Sequence, residues 1–421
     1  MAASTRARRH WAAAVAVAAL PLLMLLPSAA GWLTAPLILA GLILAIRDRR
    51  LGVGDREFLL VTGLIPAAYL LNMAVFGGGL NLLERPGHLL RGFLIYSAVS
   101  RFGLPRPALA GAIALAALTA AAIALHAALI LHEPRVFGFR GHWNAVPFGN
   151  FSLLLGLLSL LAAALPWDRP RPGLRLTAGI ACLAGLVASL LSGSRGGWLG
   201  LPLLLPALVW LSPPPQRRRW FTLIAGLGLA SALALAALPG TRHRLAEAVD
   251  EVQGYWTNPQ AVAAMSTSSG QRLAMWRWGL ERFCEHPLLG FGIANFPRER
   301  AAAVVRGELP PAVESLKLAN VHNELIGSLA GAGVIGAGSL IAFWVLGWRY
   351  FRRRLGGSAD QRYFAACGLL VLLATGLFSM TEGLFGTGPG TKALMLLLAL
   401  PAAGLAGCER IKTSQAAAPT D

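Results

Sequence analysis

Apolar runs separated by short polar connections fill the chain from Trp11 to Leu405. A helix that crosses a bilayer needs about 20 mostly apolar residues. By that measure the pattern predicts about twelve membrane helices, near 11–29, 32–46, 58–76, 88–101, 107–131, 147–166, 174–192, 196–212, 219–239, 322–348, 363–381 and 390–407. The expected fold is an all-α polytopic membrane protein, a single domain over 1–421.

The polar connections orient this array. With the N-terminus in the cytoplasm, the even-numbered connections are 47–56, 101–106, 167–175, 212–219 and 349–362, and each is rich in arginine. The tail adds Arg410 and Lys412, whereas the short odd-numbered connections carry few charges. Cytoplasmic loops favour Lys and Arg, so both termini are expected in the cytoplasm of a bacterial inner membrane protein. Basic residues precede the first apolar run as in a signal peptide, but its removal would break the alternation, so it reads as a retained span.

Three odd-numbered connections hold the remaining polar chemistry: 132–147, the turn 192–198 and the long segment 240–321 between the ninth and tenth spans. Within the last, Ser268 and Gln271 have capping-box spacing. Leu273, Trp276, Leu280 and Phe283 then share one face, which suits a helix lying at a membrane interface. A second amphipathic stretch covers 242–252, and Gly307, Pro310 and Pro311 interrupt the remainder.

Composition narrows the function classes. Charged residues make up 13% of the chain and hydrophobic ones 56%, which leaves no room for a large aqueous catalytic domain. The net charge of +18 lies mostly in short clusters between spans, as topology signals and lipid contacts rather than a nucleic-acid surface. Four cysteines without a CxxC suggest neither a zinc site nor a disulfide framework.

The candidate chemistry gathers at one face. His322-Asn323 stands where the long segment re-enters the membrane, and an imidazole suits proton transfer near neutrality. A capping or interfacial histidine is the alternative. Arg195 sits between two apolar spans and calls for an anionic partner, a ligand or a carboxylate such as Glu382; otherwise it snorkels. Arg195 and Arg272 together could clamp a phosphate. Arg85, Arg91, Arg135 and Arg140 face the same way, either along an anion path or as structural cations, and His142, Trp143 and Asn144 are candidate sugar contacts. Gly331, Gly333 and Gly336 spell GxGxxG inside an apolar span; with Gly327 they read as a helix-packing stripe rather than a dinucleotide site.

Four segments resemble the O-antigen ligase family, which also contains O-antigen polymerases and O-linked oligosaccharyltransferases. They are Leu191–Leu199 (LSGSRGGWL), Gly270–Trp276 (GQRLAMW), His286–Pro297 (HPLLGFGIANFP) and His322–Gly336 (HNELIGSLAGAGVIG), all within a core region of about 180–345. The resemblance implies a GT-C-like glycosyltransferase architecture and transfer of a glycan from undecaprenyl diphosphate to an acceptor hydroxyl at the periplasmic face. For a ligase, the acceptor is a sugar of lipid A-core. The transfer is expected to invert the anomeric centre and to need no metal or cofactor. It implies catalytic roles for His322, Arg272 and Arg195: the arginines neutralise the departing diphosphate, and His322 deprotonates the acceptor or touches phosphate. Asn323 is expected to hold the histidine, with Arg140 and Arg85 as further substrate contacts. The expected partners are the undecaprenyl-linked donor, the lipid A-core acceptor and membrane lipids, with no nucleic acid. One long and one medium outer connection, and a short tail, favour ligase over polymerase or protein transferase. A transporter would place its polar groups near the midplane in repeated halves, which this chain does not do.

Overall fold

A computed structural model describes residues 2–47, 52–165, 172–194, 196–222, 225–226, 268–311, 313, 321–386 and 388–416. Among these residues there is no strand. The helices are α1 (Ala2–Leu25), α2 (Pro27–Arg47), α3 (Val53–Phe76), α4 (Glu84–Phe102), α5 (Arg106–Leu129), α6 (Ala145–Ala164), α7 (Pro172–Leu191) and α8 (Gly196–Leu211). Within the long polar segment lie α9 (Ser268–Glu285) and α10 (Phe296–Val305), followed by α11 (Glu324–Arg352), α12 (Ala359–Phe378) and α13 (Gly388–Ala416).

Eight of these, α2, α3, α5, α6, α7, α11, α12 and α13, are long and apolar enough to cross a bilayer. The apolar part of α1 and all of α8 are shorter. The fourth predicted span is the more polar α4, and most of the ninth, 219–239, lies outside the described residues.

Packing is that of a membrane bundle, in which small residues let helix backbones approach. A Cβ on Gly156 of α6 would come 2.9 Å from the Cys182 carbonyl of α7, and one on Gly185 would meet the Ser152 carbonyl. Leu39, Ile43, Leu183 and Leu203 remain exposed on the outside of the bundle, a surface suited to lipid.

The two ends of the bundle differ. At one end, the arginines after α11 meet carboxylates from distant helices. Arg354 Nε donates to Glu409 at 2.8 Å, and Arg353 Nη1 donates to Glu57 at 3.0 Å. The opposite end holds the start of α11, the ends of α3 and α12 and the helix α9, and there the candidate residues gather.

Candidate functional site

The site is built on the first turn of α11. Asn323 is its N-cap: Oδ1 accepts from the Ile326 N–H at 3.1 Å, and Nδ2 donates to the Met380 carbonyl at 3.1 Å. Glu324 extends the anchorage, with its N–H on the Ser379 carbonyl at 2.8 Å and its carboxylate accepting from the Phe385 N–H at 3.1 Å. The turn after α12 is thereby fastened to the start of α11.

His322 precedes this cap with a φ of 54°, in the left-handed region that non-glycine residues enter rarely and often at functional sites. Its Nδ1 lies 3.2 Å from Oε2 of Glu382. Both side chains are largely buried, at 15% and 9% exposure, so little water competes for the contact. Glu382 therefore partners the histidine; the pairing with Arg195 that the sequence suggested lies outside the described residues.

Helix α9 brings Arg272 to the same place. Trp276, one turn further along, donates its indole N–H to the Val321 carbonyl at 2.9 Å. Residues four apart share a helix face, so the grip on Val321 turns the Arg272 side of α9 toward the residue that precedes His322. Burial pushes the Arg272 guanidinium below its ordinary range; Glu382 opposes that shift and Arg135 adds to it. Arg272 thus shares its electrostatic surroundings with both residues.

Arg135 reaches the site from the α5–α6 connection. Its Nε donates at 3.1 Å to the Ser192 carbonyl, in the turn between α7 and α8. That turn is pinned from below by Asn150 of α6, whose Oδ1 accepts from the Ser194 hydroxyl at 2.8 Å. On its other side Gly196 packs against Thr381, the neighbour of Glu382. Arg195 itself lies outside the described residues. Asn150 and Arg135 carry no helical periodicity, and their roles follow only from the turn they hold.

Arg140 is exposed, with a φ of 50°, and its guanidinium lies 5.2 Å from the Phe139 ring centre. Arg85 falls in the first turn of α4, and its side chain is outside the described set. Trp143 is 1% exposed and donates to the Leu23 carbonyl at 3.2 Å, which makes it a core residue rather than a sugar contact. Asn144 caps α6.

A break in α11 explains the glycines. Gly333 takes φ 62° and ψ −155° inside the helix, outside helical geometry. The loop from Pro287 to Ile293 docks there: Phe291 and Gly292 donate to the Ala330 and Gly331 carbonyls at 3.0 and 3.1 Å, and Val334 donates to Pro287 at 2.8 Å. Asn72 of α3 completes the junction. Its Nδ2 donates to Leu289 and Gly331, and its Oδ1 accepts from Ile293. Interrupted helix backbone in a membrane protein needs such replacement partners. The expected helix-packing stripe is therefore corrected: a Cβ on Gly327 or Gly331 would meet only ordinary contacts, and Gly333 is the residue the geometry requires.

Helix α9 buries a second face as well. Its most buried face is Ala274, Met275 and Trp278, which join Phe291 and Phe296 in a separate small core. Leu280, on the predicted face, is 43% exposed. The helix is apolar on two sides, and the exposed one remains the face suited to a membrane interface.

A cavity of about 400 Å³ adjoins the first turns of α11. It is lined in part by Tyr69, Asn81, Glu84, Asn323, Glu324 and Ser328, and Arg272 and His322 stand outside its lining. Among the described residues no three His, Cys, Asp or Glu side chains form a metal-ligand cluster.

This is a multi-pass, all-α membrane protein with a cation-and-histidine site at one end. Residues 180–341 match the family model described as O-antigen ligase, so this stretch carries the domain of the O-antigen ligase superfamily. A Haemophilus influenzae protein described as an uncharacterized protein is 24% identical over 289 residues, covering 68% of this chain and 70% of the relative.

Proposed function

We propose that the protein is an O-antigen ligase: it transfers polysaccharide from undecaprenyl diphosphate to a lipid A-core sugar hydroxyl at the periplasmic face of the inner membrane, without a metal. The observation that carries the reading is the His322–Glu382 contact beside Arg272, within the matched region and the turn fastened to it.

The acceptor hydroxyl attacks the anomeric carbon as the bond to the diphosphate oxygen breaks, which inverts that centre. With Nδ1–H directed at Glu382, Nε2 of His322 is the basic position that takes the hydroxyl proton. Negative charge grows on the departing diphosphate. Arg272 and Arg195 stabilise it, with Arg135 as a further cation at the same turn. Asn323 acts through position, as the cap that holds His322 in its left-handed conformation.

The test is joining of purified lipid-linked polysaccharide to lipid A-core by the purified protein in the presence of a chelator. Product is expected. Strict dependence on a divalent metal would remove the arginine mechanism. Deletion of the gene separates the ligase from its relatives on a lipopolysaccharide gel. A ligase loses the ladder and accumulates lipid-linked polymer. A polymerase leaves a single-repeat band, and a protein transferase leaves the ladder intact.

A further inference from the structure

Away from the candidate site, four helices enclose a second group of cations. His88 and Arg91 on α4 and Lys392 on α13 line a small cavity with Leu23, Gly31 and Thr34 from α1 and α2. His88 is 1% exposed. Its Nδ1 lies 3.0 Å from Nη1 of Arg91. A guanidinium can only donate, so Nδ1 accepts and the ring proton sits on Nε2. That Nε2–H is buried and has no hydrogen-bond partner among the described residues. Lys392 adds a donor-only ammonium, and the Thr34 hydroxyl already donates to the Ala30 and Gly31 carbonyls. The cavity therefore presents mainly donors and positive charge, with the Thr34 hydroxyl oxygen as its neutral side-chain acceptor and no carboxylate in its lining. Glu84, four residues before His88 on α4, is one carboxylate whose field reaches Lys392.

Size and depth select the complement. The cavity measures about 30 Å³, room for one oxygen rather than a sugar ring. Arg91 is exposed, so the rest of a bound group would stay at the bundle surface. That surface is lipid-like: Leu39, Leu42 and Ile43 of α2 are exposed, and Trp32, beside Gly31, is 81% exposed, as befits a residue at the membrane interface. Leu384 accepts from Thr391, the neighbour of Lys392, which places the cations at the same end of the bundle as Glu382.

We propose that His88, Arg91 and Lys392 form a binding site for the phosphate of a membrane lipid, with one phosphate oxygen in the cavity and the acyl chains along α2. This site stands on the transmembrane fold and is independent of the transfer reaction. The experiment is native mass spectrometry of the full-length protein in detergent, titrated separately with phosphatidylglycerol, diacylglycerol and inorganic phosphate. Phosphatidylglycerol is expected to be retained in preference to diacylglycerol. The Arg91→Gln/Lys392→Gln double variant should lose about tenfold or more of that affinity, the scale of one or two charge-assisted hydrogen bonds. Arg91→Lys, which keeps the charge, should retain most of it. Equal retention of phosphatidylglycerol and diacylglycerol, or an unchanged double variant that melts like the parent, overturns the proposal. Binding of inorganic phosphate without phosphatidylglycerol overturns the lipid assignment.

Discussion

A histidine with a carboxylate at Nδ1 differs from a histidine alone, because the partner fixes the tautomer and stabilises the imidazolium that forms when Nε2 takes a proton. The His322–Glu382 pair has the geometry for this, at 3.2 Å and largely shielded from water. Glu382→Gln keeps the shape and removes the charge, so kcat is expected to fall about 10²-fold or more while the donor KM stays near that of the parent. An unchanged kcat, measured as initial rates of glycan joining, would leave Glu382 a structural residue only. Arg272→Ala should lower the rate by about 10²–10³-fold through loss of charge stabilisation, and Arg272→Lys should recover part of it. If lysine restored the full rate, a point charge would suffice and bidentate contact would have no role. His322 and Arg272 could be proposed from their motifs alone. The pairing with Glu382, 60 residues further along, was not, because a lone carboxylate after a span has no local pattern to announce its partner.

Among the elements, the helices were legible and the break in α11 was not. Apolar runs of sufficient length must form helices in lipid, since each backbone group needs a partner within the segment. The break obeys the same rule by other means: the Pro287–Ile293 loop and Asn72 supply the missing partners from elsewhere in the chain. Gly333 tolerates the left-handed backbone, and a Cβ there would run into the Leu288 carbonyl. Gly333→Ala is therefore expected to destabilise the protein by about 2–4 kcal/mol, seen as a lower Tm in detergent. Gly338 lies in the same helix, and a Cβ there would meet open space. Gly338→Ala should leave Tm unchanged or raise it slightly, since alanine favours a helix by about 0.8–1.0 kcal/mol. Equal Tm values for the two variants would mean that the break is not a fixed feature of α11.

Across the whole molecule, the two ends of the bundle carry positive charge in different ways, and this gives orientation a physical test. At the end of α11, Arg353 and Arg354 meet carboxylates of α3 and α13, while Arg272 and Arg135 at the other end share a site with a histidine. The alternation of arginine-rich and arginine-poor connections is readable in the sequence because charged loops resist translocation. The gathering of the α5–α6 and α7–α8 connections, α9, the start of α11 and the α12–α13 turn at one end follows from packing between residues far apart in the chain, which no local period encodes. The native cysteines report on the two ends without added probes. Cys284 is exposed on α9, the helix that carries Arg272, and Cys408 is half-buried on α13, next to the Glu409 that holds Arg354. Cys367 is buried and serves as an internal reference. If the site faces the periplasm, a membrane-impermeant maleimide added to intact spheroplasts labels Cys284 and leaves Cys408 untouched. Permeabilisation then admits the reagent to Cys408, and Cys284→Ser abolishes the first signal. Labelling of Cys408 in intact cells with Cys284 protected would invert the topology and place Arg272, His322 and Glu382 in the cytoplasm, where a periplasmic ligase could not use them.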